Sequence, residues 1–321
     1  MTSTAVPEVA PTGAAGKPPA LRVNGVSAAY GPYRALFDVT FSVPAGAVVA
    51  LLGSNGAGKS STARVLSGLV PATAGRIELG GRDVTNLPTF RIARAGMAHV
   101  PEGRGIFGSL SVEENLTLAF RQRAGRREVA AALARAYGAF PILGERRKQR
   151  GGTLSGGQQR LLSLAKVLVV PPRLLIADEL SLGLAPVVVD AVYDGLREIH
   201  AAGTALLVVE QQVDRVLQLA DRAVVLERGT VAFEGPAAEA AEAVERVLAA
   251  RGERTARIAG SAVDGADGAP AGGAGPPGAA AGQRWRWSRG RRPGEHGAGL
   301  TGGAVPPEAG TGPATTEGGA R

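Results

Sequence analysis

Four stretches of the chain are apolar at successive positions rather than alternating: "VVALLG" (48–53), "LLIADE" (174–179), "ALLVVE" (205–210) and "AVVLE" (223–227). A strand with one wet face alternates apolar and polar side chains. A strand that is apolar throughout has both faces covered, as in a parallel sheet flanked by other layers. Helical stretches fall between these runs, at 60–69, 112–122, 127–139, 157–169, 187–201 and 213–220. "MAHVP" (97–101) reads as one more short apolar strand. Shorter runs at 21–26, 37–43 and 76–79, bounded by Gly and Pro, predict an antiparallel β subdomain near the N-terminus. The expected fold class is α/β, with that β subdomain added to a parallel core.

The two ends of the chain read differently. Residues 1–19 are mostly Pro, Ala, Gly, Ser and Thr, and 251–321 contain "GSAVDGADGAPAGGAGPPGAAAGQ" and "RWRWSRGRRPGEHG". Such segments have too little apolar side chain to offset their ordering entropy. A disordered lead, a folded unit over 20–250 and a disordered tail are expected. The tail takes both tryptophans, Trp285 and Trp287.

Composition narrows the function classes. Cysteine is absent, which removes disulfides and thiolate metal sites. Three scattered histidines make no metal-ligand cluster. His99, in an apolar strand, reads as a packed core histidine. The net charge of +8 fits nucleic acid, an anionic membrane surface or a basic tail. "RWRWSRGRR" could stack bases or meet anionic lipid. Its surroundings favour a solvated tail, and no nucleic acid is expected as partner. The N-terminus lacks the apolar core of a signal peptide. No run of about 18 apolar residues appears, so any membrane role is expected to be peripheral.

The chemistry begins at "LLGSNGAGKSS" (51–61), which fits G-x-x-x-x-G-K-[ST] between a strand and a helix. Gly53, Gly56 and Gly58 let the backbone approach phosphate. The N–H groups of the loop Ser54–Asn55–Gly56–Ala57–Gly58 and of Lys59, Ser60 and Ser61 supply positive potential at a helix start. Lys59 is expected to reach the β and γ phosphates of a nucleotide, and the Ser60 hydroxyl to ligate Mg²⁺. "LLIADE" then offers Asp178 as a magnesium group acting through water. Glu179 follows as the residue that orients and polarises the attacking water. The implied core is that of a phosphate-loop NTPase.

A second helix start follows about a hundred residues later. In "LSGGQQR" (154–160), Ser155 is a candidate N-cap, and Gly156 and Gly157 expose N–H groups at a positive helix end. Taken alone, it reads more readily as an ordinary Ser–Gly cap.

In order and spacing, "LLGSNGAGKSS", "LSGGQQR" and "LLIADE" resemble the ATP-binding subunits of ABC transporters, over residues 20–250. The resemblance implies a head-to-tail dimer with two sandwiched ATP molecules. Ser155, Gly156, Gly157 and Gln158 of one chain would contact the γ-phosphate held by Lys59 of the other. Tyr30, in "AAYGPYRAL", matches the family's aromatic platform for adenine. Residues of about 105–170 would form an inserted helical subdomain. "IFGSLSVEENL" (106–116) would meet the membrane subunits there, although Ile106, Phe107 and Leu110 could equally be core.

Several positions depart from the family's general pattern. Glu102, in "VPEGRGIF", replaces Gln in a loop that approaches magnesium. It can ligate the ion or its water but cannot donate a hydrogen bond. Gln211, in "VEQQVD", replaces the switch histidine and can donate to a γ-phosphate oxygen without becoming cationic. "VPEGR", "SVEENL", "SLGLAP" and "VEQ" resemble the second, smaller ATP-binding subunit of branched-chain amino-acid importers. That subgroup usually has Pro where Leu180 stands, Asn at Gln212 and an aromatic at His99. Leu180 would cost at most some rate, by displacing Glu179.

The resemblance further implies two multi-span permease subunits, a second ABC ATPase or another copy of this chain, and an extracytoplasmic solute-binding protein acting indirectly. The site of action would be the cytoplasmic face of the membrane. An importer of urea or amides would have nearly the same ATPase. A soluble ABC ATPase uncoupled from transport usually carries two ATPase units or a long coiled coil, and neither is seen here.

Overall fold

The computed structural model describes residues 18–102, 105–168 and 171–247. The expected lead (apart from its last two residues) and the tail lie outside them. Every described residue belongs to one compact unit, which ends by residue 266.

The central sheet has six strands in the order β10–β9–β3–β8–β7–β6. Their ranges are β3 Val48–Gly53, β6 Met97–Val100, β7 Leu174–Asp178, β8 Ala205–Val209, β9 Arg222–Glu227 and β10 Thr230–Pro236. The five from β6 to β9 pair parallel. In β7 and β8 every residue is buried, and in β3 all but Gly53. The side chains divide strictly by parity. Val48, Ala50, Leu52, Leu175, Ala177, Leu206 and Val208 enter one core. Val49, Leu51, Leu174, Ile176, Leu207 and Val209 enter the other. Continuous apolarity in the sequence is therefore two interleaved alternations, one per face.

One face is covered by helices α3 (Val112–Arg123), α4 (Val129–Ala139), α6 (Gly156–Leu168) and α7 (Pro186–Ala201), with the short α5 (Pro141–Glu145) and α8 (Val213–Leu217) beside them. α3 starts on a capping box: Ser111 Oγ accepts from the Glu114 N–H, and Glu114 accepts from the Ser111 N–H. The other face carries α1 (Lys59–Leu66) and a four-stranded antiparallel sheet in the order β2–β1–β4–β5. There β1 is Leu21–Tyr30, β2 Tyr33–Val43, β4 Ala72–Leu79 and β5 Arg82–Asp83. These strands are longer than the runs at 21–26, 37–43 and 76–79: β2 and β4 add exposed positions such as Tyr33, Arg34 and Thr73, whereas β1 runs on through the buried Ser27 and Ala28.

Several elements go beyond the sequence reading, the short β5 and α5 among them. The sheet is not wholly parallel: β10 returns antiparallel to β9. The turn between them has φ of +50° at Arg228 and +82° at Gly229, as a two-residue primed turn requires. α2 (Thr89–Arg94) buries only Ile92. Residues 237–247 form a further helix, burying Ala240 and Ala243 against the helical-face core. Conversely, α8 is shorter than the expected 213–220. Among the described residues, no helix is long and apolar enough to cross a membrane.

Candidate functional site

The parallel strands deliver the candidate groups to one edge. Gly53 ends β3, Glu102 follows β6, Asp178 ends β7 and Gln211 follows β8, all at carboxyl ends of strands. Ligands of open α/β sheets bind at that edge.

The loop 54–58 joins β3 to α1. Its glycines are required by space. Gly53 has φ +148°, and a Cβ there would stand 2.5 Å from the Leu226 carbonyl oxygen. Gly58, at φ +108°, caps α1 without a side chain, and a Cβ would press on Leu36. The helix ladder begins with the Thr62 N–H donating to Gly58. The amides of Lys59, Ser60 and Ser61 are therefore the free ends expected at a helix start, aimed at the loop. Asn55 and Gly56 are exposed, Ala57 is buried, and Ser54 and Ser60 are half-buried.

Lys59 is 4% exposed and folds inward. Its Nζ donates to the carbonyls of Gly53 (2.9 Å) and Ser54 (3.3 Å) and lies 3.8 Å from Glu179 Oε1. Burial lowers its pKa, and the acids Glu179, Asp178 and Glu210 oppose that shift. Glu179 has φ +48°, rare for a side chain of this size. Its Oε1 also accepts from Gln211 Nε2 at 2.9 Å. Gln211 and Lys59 thus grip the same carboxylate oxygen. Leu180 is 2% exposed and packs in the helical-face core.

Asp178 is buried, and its Oδ1 has no hydrogen-bond partner. Burial, then the nearby Glu179 and Glu102, push its carboxyl up to about 6. A buried, orphaned carboxylate oxygen at the end of β7 suits a cation. Among the described residues, no group of three or more His, Asp or Glu could hold a metal by itself. Phosphate oxygens and water would have to complete the shell of Mg²⁺, which is how that ion is usually bound. Glu102 stands exposed and shares a cavity of about 310 Å³ with Asp178, His99, Pro101, Arg64 and Leu69.

Tyr30 is 38% exposed at the end of β1, and its hydroxyl donates to Ser61 Oγ at 3.4 Å. Its ring therefore flanks the phosphate loop. Ser155, Gly156, Gly157 and Gln158 form the start of α6, and Ser155 and Gln158 bond reciprocally: Gln158 N–H to Ser155 Oγ at 3.3 Å, Ser155 N–H to Gln158 Oε1 at 3.1 Å. This is a capping box with Gln at its third position. Ser155 and Gly156 are exposed, whereas Gly157 is buried and lies so close to Val188 of α7 that a Cβ would collide with it. Among the described residues, no hydrogen bond ties this helix start to the phosphate loop of its own chain.

Two contacts were outside the sequence reading. Arg160 of α6 donates to the Pro101 carbonyl at 3.0 Å and so holds the segment that leads to Glu102. Glu210, buried beside Gln211, accepts from both the backbone and the hydroxyl of Ser181. The only available signal was a charged residue closing an apolar strand run.

A phosphate loop, a strand-end acid pair and a capped second helix start on a two-faced sheet define an ATPase of the phosphate-loop class. The family described as "ABC transporter" matches residues 36–181, a span holding the loop, the α6 start and both acids. The high-affinity branched-chain amino acid transport ATP-binding protein BraG of Pseudomonas aeruginosa is 39% identical over 220 residues, covering 68% of this chain and 93% of that protein. A probable branched-chain amino acid transport ATP-binding protein, LivF of Archaeoglobus fulgidus, is 34% identical with the same coverage. A nucleotide-free ATP-binding cassette from an ABC transporter superposes with a TM-score of 0.61 at 25% identity, over 72% of this chain and 95% of that one. The chain belongs to the ATP-binding subunits of ABC transporters, and it binds and hydrolyses ATP.

Proposed function

We propose that this subunit powers the import of branched-chain amino acids through partner permeases, from the cytoplasmic face of the membrane. The observation that carries the reading is the convergence of Lys59, Asp178, Glu179 and Gln211 at one sheet edge, in a chain 39% identical to BraG. In this reading residues 20–250 are the ATPase unit, with 105–170 its helical subdomain.

The loop amides and Lys59 hold the phosphates, and Tyr30 stacks on adenine. Ser60, Asp178 through water, and Glu102 directly or through water would hold Mg²⁺, which when bound would neutralise phosphate charge. Lys59 must leave the Gly53 and Ser54 carbonyls to reach a phosphate, which also frees Glu179. Glu179 then polarises the attacking water, and Gln211 turns its amide from Glu179 to a γ-phosphate oxygen. Ser155, Gly156 and Gly157 cover the phosphate bound by a partner ATPase, either a related subunit or a second copy. Gln158 serves that surface by locking the Ser155 cap. Phe107, 54% exposed, and the half-buried Leu110, which lines a cleft of about 740 Å³ with Ser111, Glu113 and Arg147, support contact between 106–116 and a permease.

Glu179→Gln is expected to lower turnover at least a hundredfold while nucleotide affinity survives, as measured by phosphate release and TNP-ATP binding. Unchanged hydrolysis removes Glu179 from its role. Disrupting the gene should abolish high-affinity uptake of radiolabelled leucine, isoleucine and valine. Loss of urea or amide uptake instead would transfer the chain to that importer class, and no uptake defect would favour an ATPase uncoupled from transport.

A further inference from the structure

Glu210, the middle residue of "VEQ" (209–211), is 3% exposed and has been given no part in the mechanism above. Its two oxygens are both engaged by one residue: Oε1 accepts from the Ser181 N–H at 3.1 Å, and Oε2 accepts from Ser181 Oγ at 2.8 Å. Ser181 is itself 2% exposed. Two residues earlier, the Glu179 N–H donates to the Val209 carbonyl at 2.9 Å. On its other side, the Glu210 N–H donates to the Leu51 carbonyl of β3, the strand that leads into the phosphate loop. The loop after β7 is therefore stitched to the end of β8 both before and after Leu180, and β8 is stitched to β3. Charge-assisted bonds of this kind, out of water, are among the stronger ones in a protein.

We propose that Glu210 is a positioning residue for ATP hydrolysis: by clamping Ser181 it fixes the segment 179–181, and hence the Glu179 carboxylate, relative to Gln211 and the phosphate loop. Two features of this chain make the clamp necessary. Glu179 sits at φ +48°, a conformation that persists only when its surroundings over-determine it. Position 180 is leucine, so no proline ring restricts the backbone between Glu179 and Ser181. The side chain of Leu180 anchors one side of that turn in the core, and Glu210 holds the other. Burial pushes the Glu210 carboxyl up, and the bonds from Ser181 pull it back.

The inference rests on the reading of Glu179 as the water-polarising group, and the test separates the two. The full chain is purified as wild type, Glu179→Gln, Glu210→Ala, Glu210→Gln and Ser181→Ala. Each is assayed for MgATP turnover and for TNP-ATP affinity. Glu210→Ala is expected to lower kcat at least tenfold with affinity within twofold of wild type. Glu210→Gln should recover at least half the wild-type rate, because its amide oxygen can accept from the Ser181 N–H while its NH₂ donates to a reoriented Ser181 hydroxyl. A Glu210→Ala rate within twofold of wild type overturns the proposal. So does an equally low rate in Glu210→Gln, which would make charge rather than position the active property. If Glu210→Ala does not fold, Ser181→Ala decides: a several-fold lower kcat at unchanged affinity supports the clamp, and a wild-type rate overturns it. An active Glu179→Gln defeats the underlying reading instead, whatever the other variants do.

Discussion

His99 shows how one residue's surroundings set a property of the whole protein. Its Nε2 is buried without a hydrogen-bond partner, and burial, with help from the Arg64 guanidinium, lowers its pKa to about 4. Asp178 and Glu102 line the same cavity but do not reverse that shift. The unfolded chain takes up a proton on this histidine near pH 6.5, and the folded chain does not until about pH 4. Between those values the unfolded state binds more protons, so stability falls as pH falls, by up to roughly 3 kcal/mol. In His99→Phe this contribution is absent. Its denaturant midpoint should drop less than that of wild type between pH 7 and pH 4.5. At this scale the motifs made Lys59, Asp178 and Glu179 legible, because their chemistry resides in residue type and spacing. The φ of Glu179 and the Gln211 and Arg160 contacts were not legible. They exist only where loops from separate strands meet, and nothing in the local letters encodes that meeting.

At the scale of elements, α6 and α7 carry a constraint that a ligand-binding account alone would misassign. Gly157 reads as a glycine kept small for a phosphate, yet its missing Cβ faces Val188. Gly157→Ala should therefore destabilise the fold by about 1–3 kcal/mol, the usual cost of overpacking. It should also lower ATPase activity by tilting the helix start. Gly157→Ala combined with Val188→Ala should regain most of both, measured by thermal unfolding and phosphate release. A double variant that is stable but inactive would assign the glycine to the ligand instead. Elements buried on both faces, such as β3, β7 and β8, were plain in the sequence because continuous apolarity has few other causes. β10 escaped because its residues alternate between exposed and half-buried over most of its length. α2 escaped because six residues with one buried side chain leave no periodicity to read.

On the scale of the molecule, the two cores share one sheet, and every candidate group for chemistry leaves it at the same edge. The α6 start, by contrast, caps itself and sits on the helical layer, which fits a surface offered to a different molecule. Removing residues 252–321 should leave the ATPase rate within twofold of the full chain. A larger loss would give the basic segment at 284–292 a part in turnover. The way the antiparallel sheet is fastened to the phosphate loop was not legible in the sequence, because it passes through the β9–β10 turn. There the Gly229 N–H donates to the Ala57 carbonyl, and the Gly229 carbonyl accepts from the Phe37 N–H. That turn touches the nucleotide grip from behind while Arg228 and Thr230 face solvent. A fluorophore attached at position 230 would sense occupancy from outside the pocket, giving an optical gauge of loading that leaves every contacting group untouched.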